Sequence, residues 1–110
     1  MNSMTQLHDD FLFYQSIRRT DQVRQALISV TVESALLGTG IETYEKVVQL
    51  LEEKYHGSMP DCYSHPEYLD QVLKTLDKSS RHRVMDSIKK GLGEFSYDQS
   101  ISKFLDELNG

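Results

Sequence analysis

The sequence has no tryptophan, a single cysteine, two prolines and six glycines among its 110 residues. The lone Cys62 excludes a disulfide framework within the chain and fits a reducing compartment. The scarcity of proline and glycine excludes collagen-like and linker composition and leaves room for long uninterrupted elements. No apolar run approaches the ~20 residues that a membrane-spanning helix needs, so no membrane association is expected. Residues 1–10 are polar and acidic and carry no basic stretch of the kind that opens a secretory leader. The expected location is cytoplasmic.

What is present suits a folded chain. Hydrophobic residues make up 38% and charged residues 26%, fractions that separate a globular protein from a disordered one. The length favours one domain with one modest core, above the range of roughly 40–80 residues in which staples are needed. The expected organisation is a flexible N-terminus over residues 1–10 and a single helical domain over residues 11–110. The net charge is −5, yet the basic residues are unevenly placed. Lys74, Lys78, Arg81, Arg83, Lys89 and Lys90 fall in a stretch whose only acids are Asp77 and Asp86.

Apolar spacing points to helices. Phe11, Leu12, Phe13 and Tyr14 form a run too short to classify, a helix start or a short strand. Thr20 and Asp21 can cap a helix reaching about Leu37, with Val23, Ala26, Leu27, Val30, Ser34 and Leu37 on one face. Part of residues 27–32 is β-branched, so a strand is the alternative there. Three later starts carry an oxygen side chain followed three residues on by Glu or Gln: Thr39 with Glu42, Ser64 with Glu67, and Ser96 with Gln99. Each pair can satisfy two orphaned helix-start amides reciprocally. Apolar stripes follow each of them, and another follows Ser80. Gly57, and Gly91 or Gly93, stand where a left-handed residue would end a helix. One-sided stripes on about five helices must face each other, which predicts an all-α compact bundle. The short link from the helix ending at Leu76 to the one opening at Ser80 has helix-turn-helix proportions.

Five kinds of site are suggested by residue type. His56, Cys62 and His65 could supply zinc ligands from an interhelical loop, although the spacing matches no standard finger and a second cysteine is lacking. The alternative is a small buried thiol with histidines at a helix end and in a loop. Cys62 with His65 could also form a nucleophile–base pair, but no oxyanion-hole signature accompanies it. Gly38, Thr39 and Gly40 could receive an anion on free amides, or simply turn a corner between helices. Arg81, His82, Arg83, Lys89 and Lys90 could contact nucleic acid if the helix they lie on were a recognition helix. The bland reading is a solvated face in which Asp86 pairs with Lys89 or Lys90. Phe11, Phe13 and Tyr14 are candidates for an interface with another protein or with a second copy of the chain.

The stretch KYHGSMPDCYSHPEYLDQVLKTL over residues 54–76 and RHRVMDSIKKGLGEFSYDQSISKFLDEL over residues 81–108 resemble small helical proteins and output domains of ammonia-oxidising archaea, the Nitrosopumilus output domain group. The resemblance covers about residues 38–108 and is most specific over residues 61–69 and 87–90. Many relatives have a glycine near Lys78 and Ser79, which this chain lacks. The resemblance implies a helical fold and a regulatory or signalling output role, and it carries no catalytic residues across. The sequence as a whole therefore leads to the expectation of a non-enzymatic module with no cofactor that acts by binding a protein, in archaeal signalling as the resemblance implies, with a nucleic-acid-binding regulator as the alternative.

Overall fold

The computed structural model describes the backbone of residues 2–109 and the side chains of residues 20–108. Its elements run α1 (Asn2–Thr39), α2 (Ile41–Tyr55), α3 (Asp61–Ser64), α4 (Pro66–Leu73), α5 (Lys78–Leu92), a 3-10 turn (Gly93–Phe95) and α6 (Gln99–Asn109). The all-α bundle is confirmed, and no strand occurs among the described residues. The expected interface residues Phe11, Phe13 and Tyr14 lie outside the residues whose side chains are described.

α1 is the organising helix. Ile28, Val32, Ala35 and Leu36 recur at spacings of four, three and one and are buried, so they form one strip along it. α2, α3 and α5 pack against α1, while α4 packs between α2 and α6. The remaining core follows the spacing rule on each helix: Val47 and Leu51 on α2, Leu69, Val72 and Leu73 on α4, Val84, Ile88 and Leu92 on α5, and Ile101, Phe104 and Leu108 on α6. Each fully buried aliphatic or aromatic side chain contributes about 1.5–3 kcal/mol relative to exposure.

Several local expectations are corrected. Thr20 and Asp21 do not start a helix, because α1 runs through them without interruption. Asp21 instead accepts a hydrogen bond from the Tyr63 hydroxyl at 2.7 Å. The strand alternative at residues 27–32 falls for the same reason. The inward face of α1 is not the one expected: Val23 is 63%, Val30 61% and Leu37 46% exposed. None of the three capping pairs forms. Thr39 is the last residue of α1 and its hydroxyl donates back to the Ala35 carbonyl at 3.3 Å. Ser64 closes α3, and Ser96 follows the 3-10 turn. The caps that form are aspartates. Asp77 accepts from the Ser80 amide at 3.0 Å. Asp98 Oδ1 accepts from Ser100 at 2.9 Å and Ile101 at 3.3 Å. A carboxylate both accepts from the amides and complements the positive helix end, which favours it over a neutral hydroxyl nearby.

The helix ends also differ. Gly57, Gly91 and Gly93 do not take the left-handed conformation; His56 does, at φ 50° and ψ 36°. Its amide and that of Gly57 reach back to Glu52 and Leu51 carbonyls at 3.0 and 3.1 Å, a helix ending that a non-glycine residue completes at some backbone cost. Gly40 joins α1 to α2 at φ 152°, a conformation that side chains rarely adopt.

Asp98 does more than cap α6. Its Oδ2 accepts from Arg24 Nε of α1 at 2.7 Å, so a single carboxylate starts the last helix and ties it to the first. That hydrogen bond, with the amides of Ile101 and Ser100, holds the Asp98 carboxyl below its usual range. The stabilisation is therefore present above the ordinary carboxylate pKa of about 3.9 and is lost as pH falls through the depressed folded value. Asp98→Asn keeps a competent cap but removes the charge. Its melting temperature should lie below wild type at neutral pH, and the two should converge as melts are taken into acid. Equal melting temperatures at pH 7 would contradict the linkage.

α5 comes close to α1 at Gly91. A Cβ placed there would lie 2.7 Å from Thr31 Cγ2, and Thr31 is β-branched and stiff. Gly→Ala inside a helix ordinarily stabilises by about 1 kcal/mol, whereas overpacking costs about 1–3 kcal/mol. Gly91→Ala should therefore lower the melting temperature by a few degrees. In a Thr31→Ser background, which lacks Cγ2, the same change should raise it. Thermal melts of the four proteins check the reversal of sign.

Candidate functional site

The basic stretch becomes a face because α5 is fixed by its other side. Val84, Ile88 and Leu92 are buried, and α5 packs on α1. Lys78, His82, Met85 and Lys89 then share the opposite flank at spacings of four, three and four. Together with Leu108 near the end of α6, they border a groove of about 660 Å³ whose lining also includes Ser79 and Arg81. Among the described residues the lining holds Lys78, Arg81, His82 and Lys89 and no acidic residue, in a chain whose net charge is −5. Met85 and Leu108 supply its large apolar side chains.

The five residues expected to contact nucleic acid are therefore divided. His82 and Lys89 line the groove. Arg81 lines it too, but its guanidinium is also 3.8 Å from Asp70 on α4. Arg83 is exposed outside the lining. Lys90 is engaged by Asp86 at 3.0 Å. That hydrogen bond, backed by the charges of His82 and Lys89, holds the Asp86 carboxyl below its usual range. α4 and α5 do follow one another across a short turn, but their main neighbours differ: α5 lies on α1 and α4 on α2 and α6. Lys78 and Met85 were legible from helical spacing to His82 and Lys89. Leu108 was not, because it reaches the groove from another helix and has no local signal.

Asp70 is 6% exposed, and its Oδ1 has no hydrogen-bond partner among the described residues. Lys74 reaches its Oδ2 at 3.0 Å, one helical turn away. Arg81 is the second cation facing this buried carboxylate.

The proposed zinc ligands are not assembled. Cys62 is fully buried. His56 occupies the left-handed end of α2. His65 stacks on Tyr68 with ring centroids 4.5 Å apart, and its Nδ1 lies 3.0 Å from Glu67 Oε1. Tyr68 in turn stacks on Tyr55 at 4.2 Å. The three rings fasten the end of α2 to the start of α4, which is a structural use for His65 and the tyrosines. No group of three or more His, Cys, Asp or Glu suited to a metal occurs among the described residues. The nucleophile–base pair is not supported either, because burial pushes the Cys62 thiol up to about 12. The amide of Gly40, part of the suggested anion cradle, is already donated to Leu36 at 3.1 Å.

No family model, curated protein or solved structure matches the chain. No helix among the described residues is long and apolar enough to cross a membrane.

The state of Cys62 gives a direct check. A thiol that is buried and held protonated reacts only when the fold opens. Alkylation by iodoacetamide at neutral pH should be slow in buffer and become fast in denaturant. Rapid labelling of the folded protein would show that the thiol is accessible.

Proposed function

We propose that this chain is a small regulatory or output module that acts in the cytoplasm by binding a protein partner, without catalysing a reaction, and that the partner offers an acidic amphipathic helix to the groove between α5 and α6. The observation that carries this reading is the pairing of an apolar floor, half-buried Met85 beside fully buried Leu108, with a rim of Lys78, Arg81, His82 and Lys89 and no acid among the described residues of the lining. An amphipathic helix seats its apolar side chains in such a groove. Flanking carboxylates then meet the cations, which adds orientation and speed of encounter. The resemblance to output domains supports the regulatory part of the reading, and the buried free thiol of Cys62 is compatible with a reducing compartment.

A nucleic-acid-binding regulator is the second reading, favoured by the exposed Arg83 beside the same cations. The groove speaks for the peptide: a duplex presents its phosphates but cannot fill an apolar floor, and Arg81 and Lys90 are both engaged by acids of the chain itself.

Fluorescence anisotropy with a labelled helical peptide of alternating Leu and Glu faces tests the proposal. The full chain should bind it, more weakly as salt rises, and should discriminate against the Leu/Lys counterpart. Lys78→Glu together with Lys89→Glu should weaken binding by about tenfold or more without changing the thermal melt, since both side chains are exposed. Equal affinity for the two peptides, or no binding at low salt, would reject the groove as an acidic-helix site. Tighter binding of a labelled DNA duplex, lost in Arg83→Glu, would select the second reading.

A further inference from the structure

α1 is apolar on two opposite sides. Its buried strip is Ile28, Val32, Ala35 and Leu36. Val23, Val30 and Leu37 lie about half a turn away from that strip, at 100° per residue, and are 63%, 61% and 46% exposed. Their spacing of seven keeps them in line to within about 20° per repeat, the geometry by which one helix packs along another. Ala26 and Ser34, also exposed, lie between them on the same side.

The order of these five positions is palindromic. From Val30 outward, the neighbours are small at four residues (Ala26 and Ser34) and large at seven (Val23 and Leu37). A strip that reads the same in both directions matches a reversed copy of itself, as a two-fold symmetric contact requires. We propose that this outer face of α1 is a self-association surface on which a second copy of the chain packs antiparallel about a two-fold axis at Val30. In that register Val23 lies over the partner's Leu37, and Ala26 over the partner's Ser34, so large meets large and small meets small.

Charge selects the direction. None of the five positions is charged. Glu33 lies at the edge of the strip, and parallel pairing in register would bring it beside its own copy, a repulsive arrangement. Antiparallel pairing places it opposite the partner's Leu27 instead. The strip runs fourteen steps from Val23 to Leu37, about 21 Å at 1.5 Å per residue, and is about 10 Å wide. That is short of the ~1,200 Å² total of a standard interface, so the dimer belongs to the reversible, concentration-dependent class. Two chains of charge −5 also repel at long range, and salt relieves that repulsion.

Sedimentation equilibrium of the full chain across a range of concentrations tests the surface. Dimer should form with rising concentration and should increase with salt, opposite to the salt response expected of the α5–α6 groove. Val30→Glu, which brings two carboxylates together at the axis, should abolish it while leaving the thermal melt unchanged. A strict monomer at all concentrations, or a dimer unaffected by Val30→Glu, would overturn the proposal and leave the face to a different chain. Cross-linking fixes the direction. Val30→Cys should oxidise to a covalent dimer, Val23→Cys alone should not, and a mixture of Val23→Cys with Leu37→Cys should. Efficient self-cross-linking of Val23→Cys would show parallel pairing and reject the antiparallel register. The buried Cys62 leaves these reactions to the introduced thiols. The groove proposal stands or falls separately, because Lys78→Glu and Lys89→Glu lie on another helix.

Discussion

Ile28, Val32, Ala35 and Leu36 have to be kept from water, and covering them determines where the other helices go. α2 returns along α1 after the Gly40 corner, α3 closes one end, and α5 lies on α1 so tightly that only a glycine fits opposite Thr31. α4 and α6 then complete the interior through Leu69, Val72, Phe104 and Leu108. Apart from α1 these helices are 15 residues or shorter, lengths at which isolated helices are marginal in water. Their order comes from packing on the shared interior. Asp98 adds direction to that packing, since a charged hydrogen bond to Arg24 specifies which part of α1 receives α6.

Much of this was legible in the sequence, and the failures have physical causes. The stripes of α4 and α5 were read correctly because each of those helices has one apolar side; those of α2 and α6 were read one residue too far, since Ile41 and Tyr97 are exposed. α1 has two, and periodicity gives the angle between apolar residues without saying which side is inward. Val23, Val30 and Leu37 fit a helical stripe as well as the residues that are buried. The caps were misplaced for a different reason. Thr39 and Ser64 end the helices before them, while Asp98, two residues beyond Ser96, takes the first amides of α6, and Asp77 takes those of α5. The basic residues of the groove could be found from spacing, but the groove itself could not, since half of its apolar floor comes from Leu108.

The chain thus separates its surfaces by chemistry. Acids are used at helix starts and as tethers, as with Asp77, Asp98 and Asp21. A run of cations is left along α5 beside Met85, and an uncharged strip is left along the far side of α1. The aromatic residues near the α2–α4 junction are occupied with one another in the stack of Tyr55, Tyr68 and His65. The surfaces proposed for contact with other molecules lie on α5 and α1, two helices that are packed directly together.

Arg81 holds two appointments at once. It borders the groove, and it stands across the interhelical turn from Asp70, a carboxylate with little access to water. An anion strong enough to draw the guanidinium outward would leave that carboxylate with Lys74 as its remaining cation, and stranding a sunken charge is costly. Weak anions would therefore be held by the lysines alone, whereas recruiting the arginine would loosen the junction of α4 and α5.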